Sequence, residues 1–179
     1  MLVCSLMMSR LTILMFYLFT STGTILLKDE KFNFRPQNYY IQNVAEGRAA
    51  RNVVAILVQR NKKSPVSADL KNGAVKSVKN FLDRNLHRDT TLMPVLVTIK
   101  EFKITETRLP DGSVSGEISV FFSFSSQLSY QNKHLVDFNK VIHYKRLIGD
   151  PPNAETKLRG GLMEGLTFFN NWMKHSPRS

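Results

Sequence analysis

Val114-Ser-Gly-Glu-Ile-Ser-Val-Phe-Phe-Ser-Phe-Ser125 decides the fold. Val114, Gly116, Ile118, Val120, Phe122 and Phe124 fall on one side of an extended chain, and Ser115, Glu117, Ser119, Phe121, Ser123 and Ser125 fall on the other. Successive side chains of a strand point to opposite faces, so this stretch is a strand with one face in a core and one in water. The same sidedness recurs on both flanks. Upstream, Val95, Val97 and Ile99 alternate, then Phe102 and Ile104 do so on the opposite parity. A slip at Lys100-Glu101 is what one inserted bulge residue produces. Downstream of Tyr130-Gln-Asn-Lys133, Val136, Phe138, Ile142 and Tyr144 alternate against Asp137, Asn139, Val141, His143 and Lys145. Pro110-Asp-Gly112 supplies turn chemistry between the first two, so the three strands form antiparallel hairpins.

Helical periods flank this sheet. Asn52-Val-Val-Ala-Ile-Leu-Val-Gln59 is a continuous apolar run, the pattern of a strand buried on both faces, and residues 60–65 form a loop. Ser67 and Asp69 offer a capping hydroxyl and a favourable first-turn charge to a helix. Its buried stripe is Leu70, Ala74, Val78, Phe81, Leu82 and Asn85/Leu86. After Pro151 and Pro152, Asn153 can cap a second helix whose stripe is Leu158, Leu162, Leu166, Phe169 and Trp172/Met173. Gly160, Gly161 and Gly165 weaken that helix by about 1 kcal/mol each relative to Ala, which points to close approach to the sheet. The expected fold is α+β, a two-layer sandwich of a four-stranded mixed sheet with two helices on one face, in the order β-α-β-β-β-α.

The amino terminus concerns location. Arg10, the apolar run Leu11-Thr-Ile-Leu-Met-Phe-Tyr-Leu-Phe-Thr20 and the small polar stretch Ser21-Thr-Gly-Thr24 stand in the order of a secretory signal. Residues 1–23 are therefore expected as a signal peptide, 24–51 as an extended lead-in and 52–176 as a single domain. The expected location is periplasmic or extracytoplasmic; the alternative is an inner-membrane anchor formed by residues 11–27, since Ile25-Leu-Leu27 prolongs the apolar run. Cys4 is the sole cysteine, so a chain without the leader can hold neither a disulfide framework nor a thiolate metal site.

The formal net charge is +11, and residues 1–23 contribute Arg10 and no acid, so the remainder carries +10. A charge of that size favours anionic partners. Lys62, Lys63, Lys71, Lys76, Lys79, Arg84 and Arg88 gather in sequence around the first expected helix and its entry loop. The first six are the candidate binding residues, for an acidic lipid surface or an envelope protein complex. Nucleic acid is not expected, because Phe121 is the one aromatic clearly on the open sheet face and single-stranded readers need a stacking platform. His87, His134, His143 and His175 lack ligand spacing, and Arg159-Gly-Gly-Leu-Met-Glu-Gly165 lacks the lysine and strand-to-helix setting of a phosphate loop. No metal or cofactor is expected. The most catalytic-looking set is Asp137 and His143 on one strand with Glu117, Ser123 and Ser125 on its neighbour, the alternative being an extracytoplasmic hydrolase.

The element order, the leader, Val54-Ala-Ile-Leu57, Asp89-Thr-Thr-Leu92 and Gly161-Leu-Met-Glu-Gly-Leu-Thr-Phe-Phe-Asn-Asn-Trp172 together carry a resemblance. Over residues 52–174 the chain resembles the small envelope proteins grouped with lipopolysaccharide-assembly lipoproteins and the auxiliary lipoproteins of lipid-transport ABC systems. The resemblance implies a two-layer α/β domain that serves a transport or assembly machine by binding protein or lipid. This chain lacks a lipidation cysteine after the hydrophobic core, unlike those lipoproteins. The expectation is an exported, non-enzymatic accessory or binding protein of a bacterial cell envelope, in lipid or lipoprotein transport or assembly.

Overall fold

The computed structural model describes residues 23–127 and 132–176. The expected signal peptide, except Gly23, lies outside the described residues. The elements are β1 (Gly23–Ile25), β2 (Tyr39–Glu46), β3 (Ala55–Leu57), β4 (Val66–Leu70), α1 (Ala74–Asn85), β5 (Met93–Arg108), β6 (Ser113–Ser126), β7 (Lys133–Leu147) and α2 (Ala154–His175). The fold is α+β, with two helices and an open mixed sheet.

The sheet has seven strands, ordered β1-β4-β3-β5-β6-β7 with β2 also on β5, which corrects the expected four. The three strands missing from the sequence reading are short or irregular. β1 holds three residues and pairs parallel to β4. β2 lies in the expected lead-in; its register shifts between Ile41 and Asn43, so Tyr39, Tyr40, Ile41 and Val44 are all buried and no clean alternation survives. β4 contains Ser67 and Asp69, the expected helix cap. Ala68 and Leu70 point into the core while α1 starts only at Ala74, behind Asn72 and Gly73 at φ 74° and 76°. Gly73 is favoured at this turn because a side chain at positive φ is strained. Asn153 precedes α2 with φ 48° and makes no side-chain capping bond, against the expected cap.

β5, β6 and β7 form the expected antiparallel meander. Val114, Ile118, Val120, Phe122 and Phe124 are buried, and the register of β5 against β6 slips between Ile99 and Glu101, at the expected bulge. The bulge has a further use. On the side of β5 away from β6, residues 93–99 pair with β2 and residues 104–105 with β3, so the slip marks the changeover between two neighbours.

Both helices contribute to one apolar cluster: Val78, Phe81 and Leu82 of α1, and Leu158, Leu162, Leu166 and Phe169 of α2, with Val95, Val97, Ile99, Phe122 and Phe124. Phe169 stacks on Phe124 with centroids 4.1 Å apart and meets Tyr39 of β2 edge-on at 4.7 Å. A Cβ at Gly161 would lie 2.7 Å from Val120, and one at Gly165 2.7 Å from Phe122, so these two glycines do permit close helix approach. Gly160 faces open space. Among the described residues, no helix is long and apolar enough to cross a membrane.

Candidate functional site

The candidate site lies at the loop joining β3 to β4, whose root is fixed by a buried ion pair. The parity that places Phe102 and Ile104 inward continues to Glu106, and that of Ile142 and Tyr144 continues to Arg146. Their side chains are 0% and 7% exposed and meet bidentately, Arg146 Nε to Glu106 Oε1 at 2.8 Å and Nη2 to Oε2 at 2.6 Å. A buried charge must be paired and hydrogen-bonded to be tolerated. Here the remaining valences hold the loop. The Val58 N–H donates to Glu106 Oε2 at 2.9 Å, and Arg146 Nη2 donates to the Val58 carbonyl at 2.6 Å. The Tyr144 hydroxyl donates to Glu106 Oε1 at 2.8 Å. Tyr144 lies across from Gly116, where a Cβ would come within 2.1 Å of its ring.

These contacts set the charge states. Burial pushes the Glu106 carboxyl up, but hydrogen bonds from Arg146, Tyr144 and the Val58 amide outweigh it and hold it below the ordinary carboxylate range. Burial, then the bond to Glu106, pushes the Tyr144 phenol well up. Lys157, whose Nζ sits 4.3 Å from the Tyr144 ring centroid and donates to the Pro152 carbonyl, is lowered chiefly by burial.

Above this root is a depression of about 220 Å³ lined by Val58, Lys62, Lys63, Ser64, Pro65, Glu106, Thr107 and Arg108. Arg108, at the end of β5, donates from Nη2 to the carbonyls of Gln59 and Lys62 at 3.2 and 3.3 Å, which ties the loop tip to the sheet. Among the described residues, the side chains of Lys62 and Lys63 form no ion pair. Its acid, Glu106, is already engaged by Arg146, so the three cations at the rim face an unneutralised space. This arrangement can bind an anionic group.

The other expected binding residues do not join it. β4 separates Lys63 from Lys71 by about 17 Å of strand, and the six candidates divide between its two ends. Lys71 and Lys76 are exposed. Lys79 bonds Asp83 at 2.5 and 2.6 Å, and Arg84 bonds Asp29 at 2.8 Å, so those two charges are partly neutralised within the chain. Arg108 was missed because nothing in Thr107-Arg-Leu109 distinguishes it from any strand-end cation. A second depression of about 220 Å³ includes Arg48, Lys100, Glu101 and Lys103, but Arg48 is taken by Glu46 at 2.7 Å.

On the open sheet face, Asp137 and His143 stand about 20 Å apart along β7 and do not meet. His143 faces Glu117 at 3.7 Å. Asp137 instead faces His134, Nε2 to Oδ1 at 3.8 Å, and His134 Nδ1 lies 3.4 Å from Ser123 Oγ. His134 and Asp137 are 58% and 46% exposed, open to bulk water that competes for every bond in the set.

Solved structures of similar shape exist. One is a Xanthomonas campestris protein of the DUF330 family, 9% identical, covering 85% of this chain and 97% of that one, with a TM-score of 0.48. Another, an uncharacterised protein, is 12% identical over 83% of this chain and 99% of that one, with a TM-score of 0.39. No family model matches the sequence, and no curated protein matches it.

Proposed function

We propose that this chain is an exported, non-enzymatic accessory or binding protein of a bacterial cell envelope, serving lipid or lipoprotein transport or assembly, and that it docks anionic headgroups at Lys62, Lys63 and Arg108. The observation that supports this best is the pre-formed cationic rim: the loop is tied at its root by Glu106 and Arg146 and at its tip by Arg108, so little ordering accompanies binding. The +10 charge outside the leader favours the encounter. Export rests on Arg10 and Leu11-Thr-Ile-Leu-Met-Phe-Tyr-Leu-Phe-Thr20. Mass spectrometry of the protein from its native host is expected to show a start at about Thr22 to Ile25; a chain retaining Met1 or Met8 in the cytosol contradicts export.

Binding is tested by co-sedimentation with phosphatidylglycerol vesicles against phosphatidylcholine vesicles. Each cation near an anionic surface contributes about 1 kcal/mol, so Lys62→Glu with Lys63→Glu is expected to weaken binding by roughly 30-fold or more. Added salt should weaken the unmodified protein in the same direction. Lys71→Glu, Lys76→Glu and Lys79→Glu together test the far end of β4. A greater loss from that triple variant moves the docking surface to α1.

A further inference from the structure

β7 is the outermost strand at one end of the sheet, opposite β1: β6 lies on one side, and among the described residues no strand pairs with the other. Short of Leu147, whose N–H and carbonyl bond Asp150, such an edge presents N–H and C=O groups without a strand partner, and natural proteins guard such edges with charge. Here the guard is disarmed within the protomer. Lys140 pairs with Glu164 and Arg146 with Glu106 at 2.6 Å; Lys145 pairs with Asp111 at 2.8 Å but stays 60% exposed, free to exchange that carboxylate for one across the edge. On the open face the edge also carries apolar groups, Val141 at 49% and Leu147 at 68% exposure.

The edge is complementary to itself. When Asp137-Phe-Asn-Lys-Val-Ile-His-Tyr-Lys145 is set antiparallel to a second copy with Val141 at the centre, Asp137 faces Lys145, Asn139 faces His143 and Val141 faces Val141. All of these lie on the open face, where opposite charges and apolar pairs directly across a ladder stabilise it. On the other face Lys140 lies across from Ile142, and Phe138, already packed on Phe122, lies across from Tyr144. Neighbouring registers lose this. A centre at Lys140 keeps Asp137 against His143 but sets Val141 against Asn139, and a centre at Ile142 sets Asp137 against Leu147 and Asn139 against Lys145. The register irregularity of β7 near Leu135 ends the regular edge just beyond residues 136–146, so the self-complementary stretch is also the regular one.

We propose that two copies of this chain pair β7 to β7, antiparallel about a twofold axis through Val141, to form one continuous sheet. The interface is isologous, so the Asp137–Lys145 and Asn139–His143 pairs each occur twice, and the Val141 pair once on the axis.

The test uses the full chain with Cys4→Ser, which leaves no other thiol. Facing Cα atoms in an antiparallel ladder are about 4.5–5.5 Å apart, inside the range a disulfide spans. Oxidised Val141→Cys is therefore expected to run as a covalent dimer. Asn139→Cys alone and His143→Cys alone are expected to stay uncrosslinked, and their mixture to crosslink. In sedimentation, Asp137→Lys or Lys145→Asp should weaken self-association about tenfold, and the double exchange should restore it. A wild-type chain that sediments as a monomer at every concentration overturns the proposal, and so does self-crosslinking at 139 as efficient as at 141. Val141 is half exposed, so its substitution leaves the core intact.

Discussion

Phe122→Asp is expected to leave no folded protein at room temperature. The ring is 0% exposed, lies between Phe102 and Phe138 with centroids 5.8 and 6.5 Å away, and fills the space left by Gly165. Losing it costs about 3–5 kcal/mol for the transfer and the cavity. A carboxylate without a partner at that depth adds several more, and the total rivals the roughly 5–15 kcal/mol that holds a domain together. The neighbouring change, Ser123→Asp, places the same charge on the solvated face. Asp137 lies directly across from Ser123, so like-charge repulsion contributes, and the expected cost is still below about 1 kcal/mol. Thermal melts followed by circular dichroism separate the two variants. Similar curves would mean that β6 has no buried face.

That contrast was legible in the sequence because Val114, Ile118, Val120, Phe122 and Phe124 share one parity of β6 while, Phe121 apart, the other parity from Ser115 to Ser125 is polar. The bulge at Lys100-Glu101 was legible for the same reason, since a single inserted residue reverses a parity already established on both sides. Gly161 and Gly165 stood out because glycine in a helical stripe is costly unless the backbone must approach something, here Val120 and Phe122. β2 was hidden by its own irregularity, which places three consecutive buried residues where alternation is the signal. β4 was hidden by mimicry: Ser67 and Asp69 are good helix-capping residues, and Leu70 is buried whether it ends a strand or begins a helix. Within the candidate site, Lys62 and Lys63 were legible as charge, but their position beside Arg108 depends on β5 lying alongside β3, a pairing about fifty residues apart that local pattern does not encode. One signal was there to be used. Glu106 and Arg146 sit at inward parity on strands that flank β6, and opposite charges extending two apolar faces toward the same sheet end indicate a buried pair.

Glu106→Ala is expected to cost about 3–5 kcal/mol, because it leaves Arg146 as a buried charge without its counterion and the Val58 amide without its acceptor. The pair itself contributes less than that figure, since both ions were desolvated to form it. Glu106→Leu combined with Arg146→Met is therefore expected to recover the part due to the uncompensated charge, the unpaired Val58 groups still costing stability, and urea denaturation of the two singles and the double measures the coupling. The pH dependence has a definite sign. The folded carboxyl titrates below its ordinary value of 4.5, so its contribution is complete above that pH and drains away as the pH falls through the depressed folded value. Glu106→Ala should show a flatter acid limb than the unmodified protein. The consequence reaches the binding loop, because Val58 is the residue through which the ion pair grips it. If Glu106 and Arg146 hold the cationic rim in place, the double variant should fold well and still bind anionic vesicles more weakly, through a loop that is no longer anchored at its root. Equal binding by the double variant would mean that Arg108 alone positions Lys62 and Lys63.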